Sequence, residues 1–206
     1  MDKSIGIIIL AAGASTRLGQ PKQLLIYQEH SLIFNTLKVA VNSGCAPIVL
    51  VLGAYGDLIF SEVRNFPVKI VKNYDWQEGM NTSIKVGINT LKATQENVLA
   101  TILMVCDQPF VSTQIIQKII DVYYLKGKAI VACKYAGTLG VPALFSAKFF
   151  PEMLNLKTPK GAKQIIKNYD HQVATVDFPK GEIDICLLYT SPSPRDISGS
   201  RMPSSA

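Results

Sequence analysis

Three stretches place anion-binding or metal-binding residue types at fixed offsets. The first reads Leu10-Ala11-Ala12-Gly13-Ala14-Ser15-Thr16-Arg17-Leu18-Gly19-Gln20-Pro21-Lys22-Gln23-Leu24. Its small residues let backbone N–H groups approach an anion, with Arg17 and Lys22 following at set distances along the chain. A triphosphate needs such a set: amide donors around its oxygens, a guanidinium fork and an ammonium point charge. A plain glycine-rich loop with solvent-facing basic residues has the same composition, so residue types alone leave both readings open. The loop carries neither the G-x-G-x-x-G of dinucleotide folds nor the G-x-x-x-x-G-K-[ST] of P-loops.

The second stretch is Asn73-Tyr74-Asp75-Trp76-Gln77-Glu78-Gly79-Met80-Asn81-Thr82-Ser83-Ile84. Gly79 permits a turn, and Asn81, Thr82 and Ser83 can donate at a helix N-terminus, itself a reader of anions or carbonyls. Ordinary helix capping would account for the same residues, and Trp76 reads as packing. The third is Met104-Val105-Cys106-Asp107-Gln108-Pro109-Phe110-Val111, where a carboxylate directly follows an apolar strand and Pro109 sets the turn. An acid rigidly placed at a sheet edge suits a Mg²⁺ ligand, so Asp107 is the candidate metal residue. Because Ser112 can already cap the next helix, Asp107 is not needed as a cap. A looser cluster, Lys157, Lys160, Lys163 and Lys167, is the densest basic patch; Lys163 and Lys167 share a helix face and could meet a phosphorylated acceptor or only water.

Elements that must position these residues follow from apolar periodicity. Continuous apolar runs at Ile5–Leu10, Pro47–Leu52 and Val98–Val105 predict strands buried on both faces of a parallel sheet. Further strands are predicted at 68–71, 129–133, 143–145 and 173–176. Helical spacing predicts helices over 31–43, 57–64, 80–91 and 112–124, the last with Ile115, Ile116, Ile119 and Ile120 inward, and over 147–154 and 161–169. Strand and helix alternate, so the expected fold is a three-layer α/β/α sandwich with a mostly parallel, Rossmann-like sheet. Ligands of such sheets collect beyond the carboxyl ends of strands, where Gly13 and Asp107 both fall.

In order, L-A-A-G-x-S-x-R-x-G-x-x-K-x-L resembles the signature loop of nucleotidyltransferases, most closely the molybdenum cofactor cytidylyltransferase family of MobA-like enzymes. The resemblance covers roughly residues 4–185 and implies a nucleotide-diphospho-sugar-transferase-like fold. It implies that Ala11, Ala12, Gly13, Arg17 and Lys22 bind the nucleoside triphosphate. The guanylyl sister carries L-A-G-G where this chain has Leu10-Ala11-Ala12-Gly13, and the extra methyl at Ala12 narrows the site toward a pyrimidine, CTP rather than GTP. The middle stretch resembles the family's N-x-D-W-x-x-G-M-x-S-S, implying that Gly79 and Ser83 hold base and ribose; Thr82 replaces its first serine. The third resembles D-Q-P-x-V, implying Mg²⁺ on Asp107. Gly140-Val141-Pro142-Ala143-Leu144-Phe145 resembles the acceptor-side G-x-P-x-x-F, although a turn entering a strand explains it equally. Of the family's G-D-x-G-A-R only Gly161-Ala162-Lys163 remains. Of its D-x-D-T-P-E-D only the first acid is matched, at Asp184, so the second metal carboxylate is expected to be missing, which puts turnover in question. The implied activity is transfer of CMP from CTP to the phosphate of molybdopterin, with Lys22, Arg17 and Asp107 catalytic and a molybdoenzyme or its chaperone as further partner. A sugar or polyol phosphate acceptor, or a non-catalytic molybdopterin-binding assembly factor, stands as the alternative.

Composition narrows the rest. The 206 residues suit one domain, read as 1–186. Residues 187–206 hold six serines and three prolines without periodicity; they are expected to be disordered and resemble translated adaptor sequence rather than a natural ending. Formal charge is +6, but the basic residues are mostly single, which suits a small anion and not nucleic acid. Four cysteines without a C-x-x-C pair, and only two histidines, disfavour zinc and disulfides. With no signal-peptide pattern and no membrane-length apolar run, a cytoplasmic location is expected.

Overall fold

The computed structural model describes residues 4–16, 18–157 and 161–183. Arg17, Lys160, Asp184 and the expected tail 187–206 lie outside the described residues. In chain order the strands and helices are β1 (Ser4–Ala11), β2 (Ile26–Tyr27), β3 (His30–Ser31), α1 (Leu32–Asn42), β4 (Ile48–Leu52), α2 (Gly56–Val63) and β5 (Lys69–Lys72). They continue with α3 (Met80–Thr94), β6 (Val98–Val105), α4 (Thr113–Lys126), β7 (Ile130–Tyr135), β8 (Thr138–Ser146), α5 (Phe150–Leu154), α6 (Lys163–Asn168) and β9 (Val173–Asp177). Single helical turns cover Lys22–Leu24, Trp76–Glu78, Ala147–Phe149, Asp170–Gln172 and Pro179–Glu182.

Seven strands form one sheet in the order β5-β4-β1-β6-β8-β7-β9. β4, β1 and β6 run parallel, as do β4 with β5 and β7 with β9; β8 alone is antiparallel to its neighbours β6 and β7. β1 sits between β4 and β6, so both its faces must be apolar. Ile7, Ile8 and Ile9 are fully buried. The two-residue period sends Ile5, Ile7, Ile9 and Ala11 into the core shared with α1, α2 and α4, and Ile8 and Leu10 into the core under α3, α5 and α6. Each such isoleucine contributes about 1.5–3 kcal/mol of burial.

Side-chain caps mark two helix starts. Ser31 Oγ accepts from Phe34 N–H at 3.2 Å, and Ser112 Oγ from Ile115 N–H at 3.4 Å. Of the four isoleucines expected inward on α4, Ile116 and Ile119 are fully buried, while Ile115 and Ile120 pack half-buried at the margin. β8 begins at Thr138, five residues before the expected 143, because pairing with β7 carries the ladder through the Gly140-Val141-Pro142 segment. The short β2–β3 hairpin carries no alternating run long enough to reveal it in the sequence.

Candidate functional site

β1 and β6 lie side by side and end at Ala11 and Val105, so the loops that follow them open into one cleft of about 210 Å³. Leu10, Ala11, Ala12, Gly13, Lys22 and Gln23 form one wall, Val105, Cys106 and Asp107 another, and Trp76, Gly79, Met80 and Ser83 a third. Of the residues expected to bind or act, the structure thus brings together Ala11, Ala12, Gly13, Lys22, Gly79, Ser83 and Asp107. Lys22 Nζ donates to Asp107 Oδ2 across 85 positions of sequence. Both side chains keep about a fifth of their surface exposed (22% and 21%), so the pair is partly desolvated yet reachable by a ligand.

Buried polar groups of the first loop hold its shape. Gln23 is 1% exposed, and its Nε2 donates to Ala11 O and to Gly13 O, each at 2.9 Å. Those two bonds tie the end of β1 to the turn at Lys22–Leu24. Ser15 takes the left-handed backbone conformation (φ 51°), and its Oγ accepts from Lys22 N–H at 3.1 Å. Below the loop, Ala54 N–H donates to Ala12 O at 3.1 Å. The approach of β4's end is so close that a Cβ on Gly53 would lie 2.5 Å from Ala12 O and 2.7 Å from Ala12 Cβ. Gln23 and Gly53 were not singled out by sequence; a polar residue inside K-x-L and a glycine at a strand end carry no signal until their neighbours are known.

On the opposite wall, Gly79 (φ 120°, ψ 176°) takes a backbone conformation that side chains rarely adopt and starts α3 without a side-chain cap. Gly79, Met80 and Ser83 line the cleft, so the first turn of α3 borders it. Asn73, 1% exposed, cross-links this wall: its Nδ2 donates to Thr82 Oγ1 at 2.8 Å and to Ser83 Oγ at 2.9 Å. Trp76, expected as packing, lines the cleft instead, because the turn Trp76–Glu78 ends directly at Gly79.

The expected acceptor half lies beside this wall. A Cβ on Gly161 would lie 3.0 Å from Met80 Sδ, and Asn81 Nδ2 donates to Leu156 O at 3.3 Å. Gly140 is packed against the Tyr135 hydroxyl, with the Lys163 stem alongside. Lys157, Lys163 and Lys167 are exposed. Gln108 Nε2 donates to Gly181 O at 2.8 Å, tying the turn after β9 to the Asp107 loop.

Burial raises the Tyr135 hydroxyl, and it pushes the Cys133 thiol up to about 12. Cys133 is a fully buried thiol and Cys45 a half-buried one. Among the described residues no group of three or more His, Cys, Asp or Glu could by itself hold a metal ion, and no helix is long and apolar enough to cross a membrane.

A three-layer α/β/α fold whose small-residue loop, helix N-terminus and carboxylate gather at the strand ends has the layout of a nucleotide-binding class of protein. Residues 7–173 match the MobA-like NTP transferase domain, and the chain belongs to that family. It is 25% identical over 183 residues to the molybdenum cofactor cytidylyltransferase of Escherichia coli (strain K12), covering 88% of this chain and 91% of that protein. It is 32% identical over 114 residues to the nicotine blue oxidoreductase of Paenarthrobacter nicotinovorans, a match spanning 55% of this chain and about half (54%) of that relative's length. Among solved structures, Rv0371c from Mycobacterium tuberculosis H37Rv superposes with a TM-score of 0.75 at 29% identity, covering 86% of this chain and 89% of that one. The same protein has been solved in complex with manganese, at a TM-score of 0.70, 28% identity and the same coverage.

Proposed function

We propose that this chain transfers the CMP moiety of CTP to the phosphate of molybdopterin or the molybdenum cofactor, releasing pyrophosphate. The observation that carries the reading is the meeting of Lys22 and Asp107 in a cleft bounded by the Ala11–Gly13 loop and the start of α3. Lys22, with Arg17 from outside the described residues, neutralises the triphosphate, the amides of Ala12 and Gly13 cradle its oxygens, and Gly79 and Ser83 orient the base. The relative from Escherichia coli supports the acceptor and the choice of CTP.

The residues fit a nucleotide-bound divalent cation. Asp107 is a hard oxygen donor, rigidly placed and partly exposed, and a single carboxylate suffices where phosphates and water complete the shell. Mg²⁺ on Asp107 would supply charge neutralisation at the triphosphate; the manganese complex of the mycobacterial neighbour supports a divalent ion here. An anionic phosphate oxygen of the acceptor attacks the α-phosphorus in line. A new P–O bond forms, and the bond to the bridging oxygen breaks, its electron pair leaving with pyrophosphate. No general base is required because the nucleophile is already ionised. A cytoplasmic site, where reduced thiols persist, agrees with this reading.

Pyrophosphate release from CTP, GTP, ATP and UTP, with Mg²⁺ and molybdopterin, tests the proposal. Release with CTP and molybdopterin together is expected. Release only with a sugar or polyol phosphate would replace the acceptor, and binding of molybdopterin without release would make the chain an assembly factor. Oxidation or reduction of a substrate without pyrophosphate release would instead favour the activity for which the oxidoreductase relative is named.

A further inference from the structure

Asn73 stands at the head of a hydrogen-bond chain whose polarity cannot be reversed. Its backbone N–H donates to Leu52 O at 2.8 Å, anchoring it to the end of β4. Its Oδ1 accepts from Asp75 N–H at 3.0 Å, and a backbone N–H can only donate. That contact fixes which end of the carboxamide is oxygen, so Nδ2 must face the hydroxyls of Thr82 and Ser83 and donate to both.

The two hydroxyls then differ. Thr82 has carbonyl acceptors for its own proton, Gly79 O at 2.8 Å and Asp75 O at 3.0 Å. Ser83 is 4% exposed and lines the cleft, and among the described residues its proton has no acceptor. With the Ser83 oxygen accepting from Asn73 on the inner side, its O–H is left to point into the cleft. Resting on the nucleotide reading above, we propose that Asn73 is a specificity-determining positioning residue: it fixes Ser83 as a hydrogen-bond donor to the nucleotide base. The base edge that meets α3 must therefore present a carbonyl oxygen or an unprotonated ring nitrogen, as the 2-carbonyl edge of a pyrimidine does. An N–H edge would face a donor and leave two protons opposed.

Asn73→Asp tests this with little change of shape. The new carboxylate still accepts from Asp75 N–H, but it now accepts from Ser83 as well, drawing the hydroxyl proton out of the cleft. Calorimetric titration with Mg²⁺ and either CTP or ribose 5-triphosphate, which has the same polyphosphate and no base, separates base reading from everything else. Any charge effect of the carboxylate acts on both polyanions and cancels in their affinity ratio. The ratio is expected to fall about tenfold or more, the loss of one hydrogen bond with a buried group left unpaired. In a Ser83→Ala background the same substitution should leave the ratio unchanged. Should Asn73→Asp prove too unstable to titrate, Asn73→Ala, which frees Ser83 to turn, is expected to lower the ratio in the same direction. Equal loss for both ligands, or a further drop in the Ser83→Ala background, would overturn the role given to Asn73. Wild-type protein that binds neither ligand would overturn the nucleotide reading beneath it.

Discussion

Gly53→Ala is the substitution whose consequence can be worked most directly from the structure. Gly53 is buried at the end of β4, outside the left-handed region, so an alanine there meets no backbone strain, only a steric demand. The added methyl would lie 2.5, 2.7 and 2.8 Å from the O, Cβ and Cα of Ala12, where ordinary contact begins at 3.4 Å. Two of those atoms belong to the backbone, so no side-chain rotation relieves the overlap; the first loop must move by about 0.9 Å to restore contact distance. The Ala54 N–H to Ala12 O bond, now 3.1 Å, would stretch past useful length. Overpacking costs about 1–3 kcal/mol and the lost bond about 1 kcal/mol. Together these predict a melting temperature lower by roughly 4–16 °C for a chain of this size. Because Ala12 and Gly13 line the cleft, a shift of this size should also lower nucleotide transfer by as much as about 100-fold. Differential scanning calorimetry and pyrophosphate release measure the two effects. A variant that melts within about one degree of wild type and turns over normally would refute the steric argument.

Other outcomes follow from single contacts. Lys22→Ala should weaken CTP–Mg²⁺ binding by about tenfold or more with an unchanged circular dichroism spectrum, since it removes a charge-assisted donor; an unaltered titration would remove Lys22 from the site. Gln23→Met keeps length but leaves the carbonyls of Ala11 and Gly13 without their donor, so urea denaturation should show a loss of about 2–4 kcal/mol. A loss below about 1 kcal/mol would mean that water replaces the carboxamide. For Cys133, burial raises the thiol from 9.0 to about 12, so the folded state holds a proton that the unfolded chain releases. Its contribution is complete below pH 9 and is lost as pH rises from 9 toward 12. Denaturation at stepped pH should therefore show a shallower alkaline decline for Cys133→Ala than for wild type; parallel curves would contradict it.

Much of this architecture is written in local sequence because burial on both faces leaves a continuous apolar signal. Ile5–Leu10 and Val98–Val105 could be read as central strands for that reason, and Asp107 stood out as the first charge after the second run. The loop from Leu10 to Leu24 and the stretch from Asn73 to Ile84 were legible because the order of their residues, beyond their types, follows the family's pattern. Sequence alone therefore determined the layered fold, the strand ends and most of the residues that line the cleft.

Only the folded chain decided how those residues face one another. Lys22 meets Asp107 because β1 pairs with β6, a register that neither segment encodes by itself. Gly53, Gln23 and Asn73 owe their importance to what lies against them: a neighbouring carbonyl, two flanking carbonyls, and two hydroxyls on a helix start. Trp76 likewise left the core for the cleft because of where its turn ends. Polarity and close approach are properties of pairs of atoms brought together across the chain, and periodicity records only which face of an element is dry.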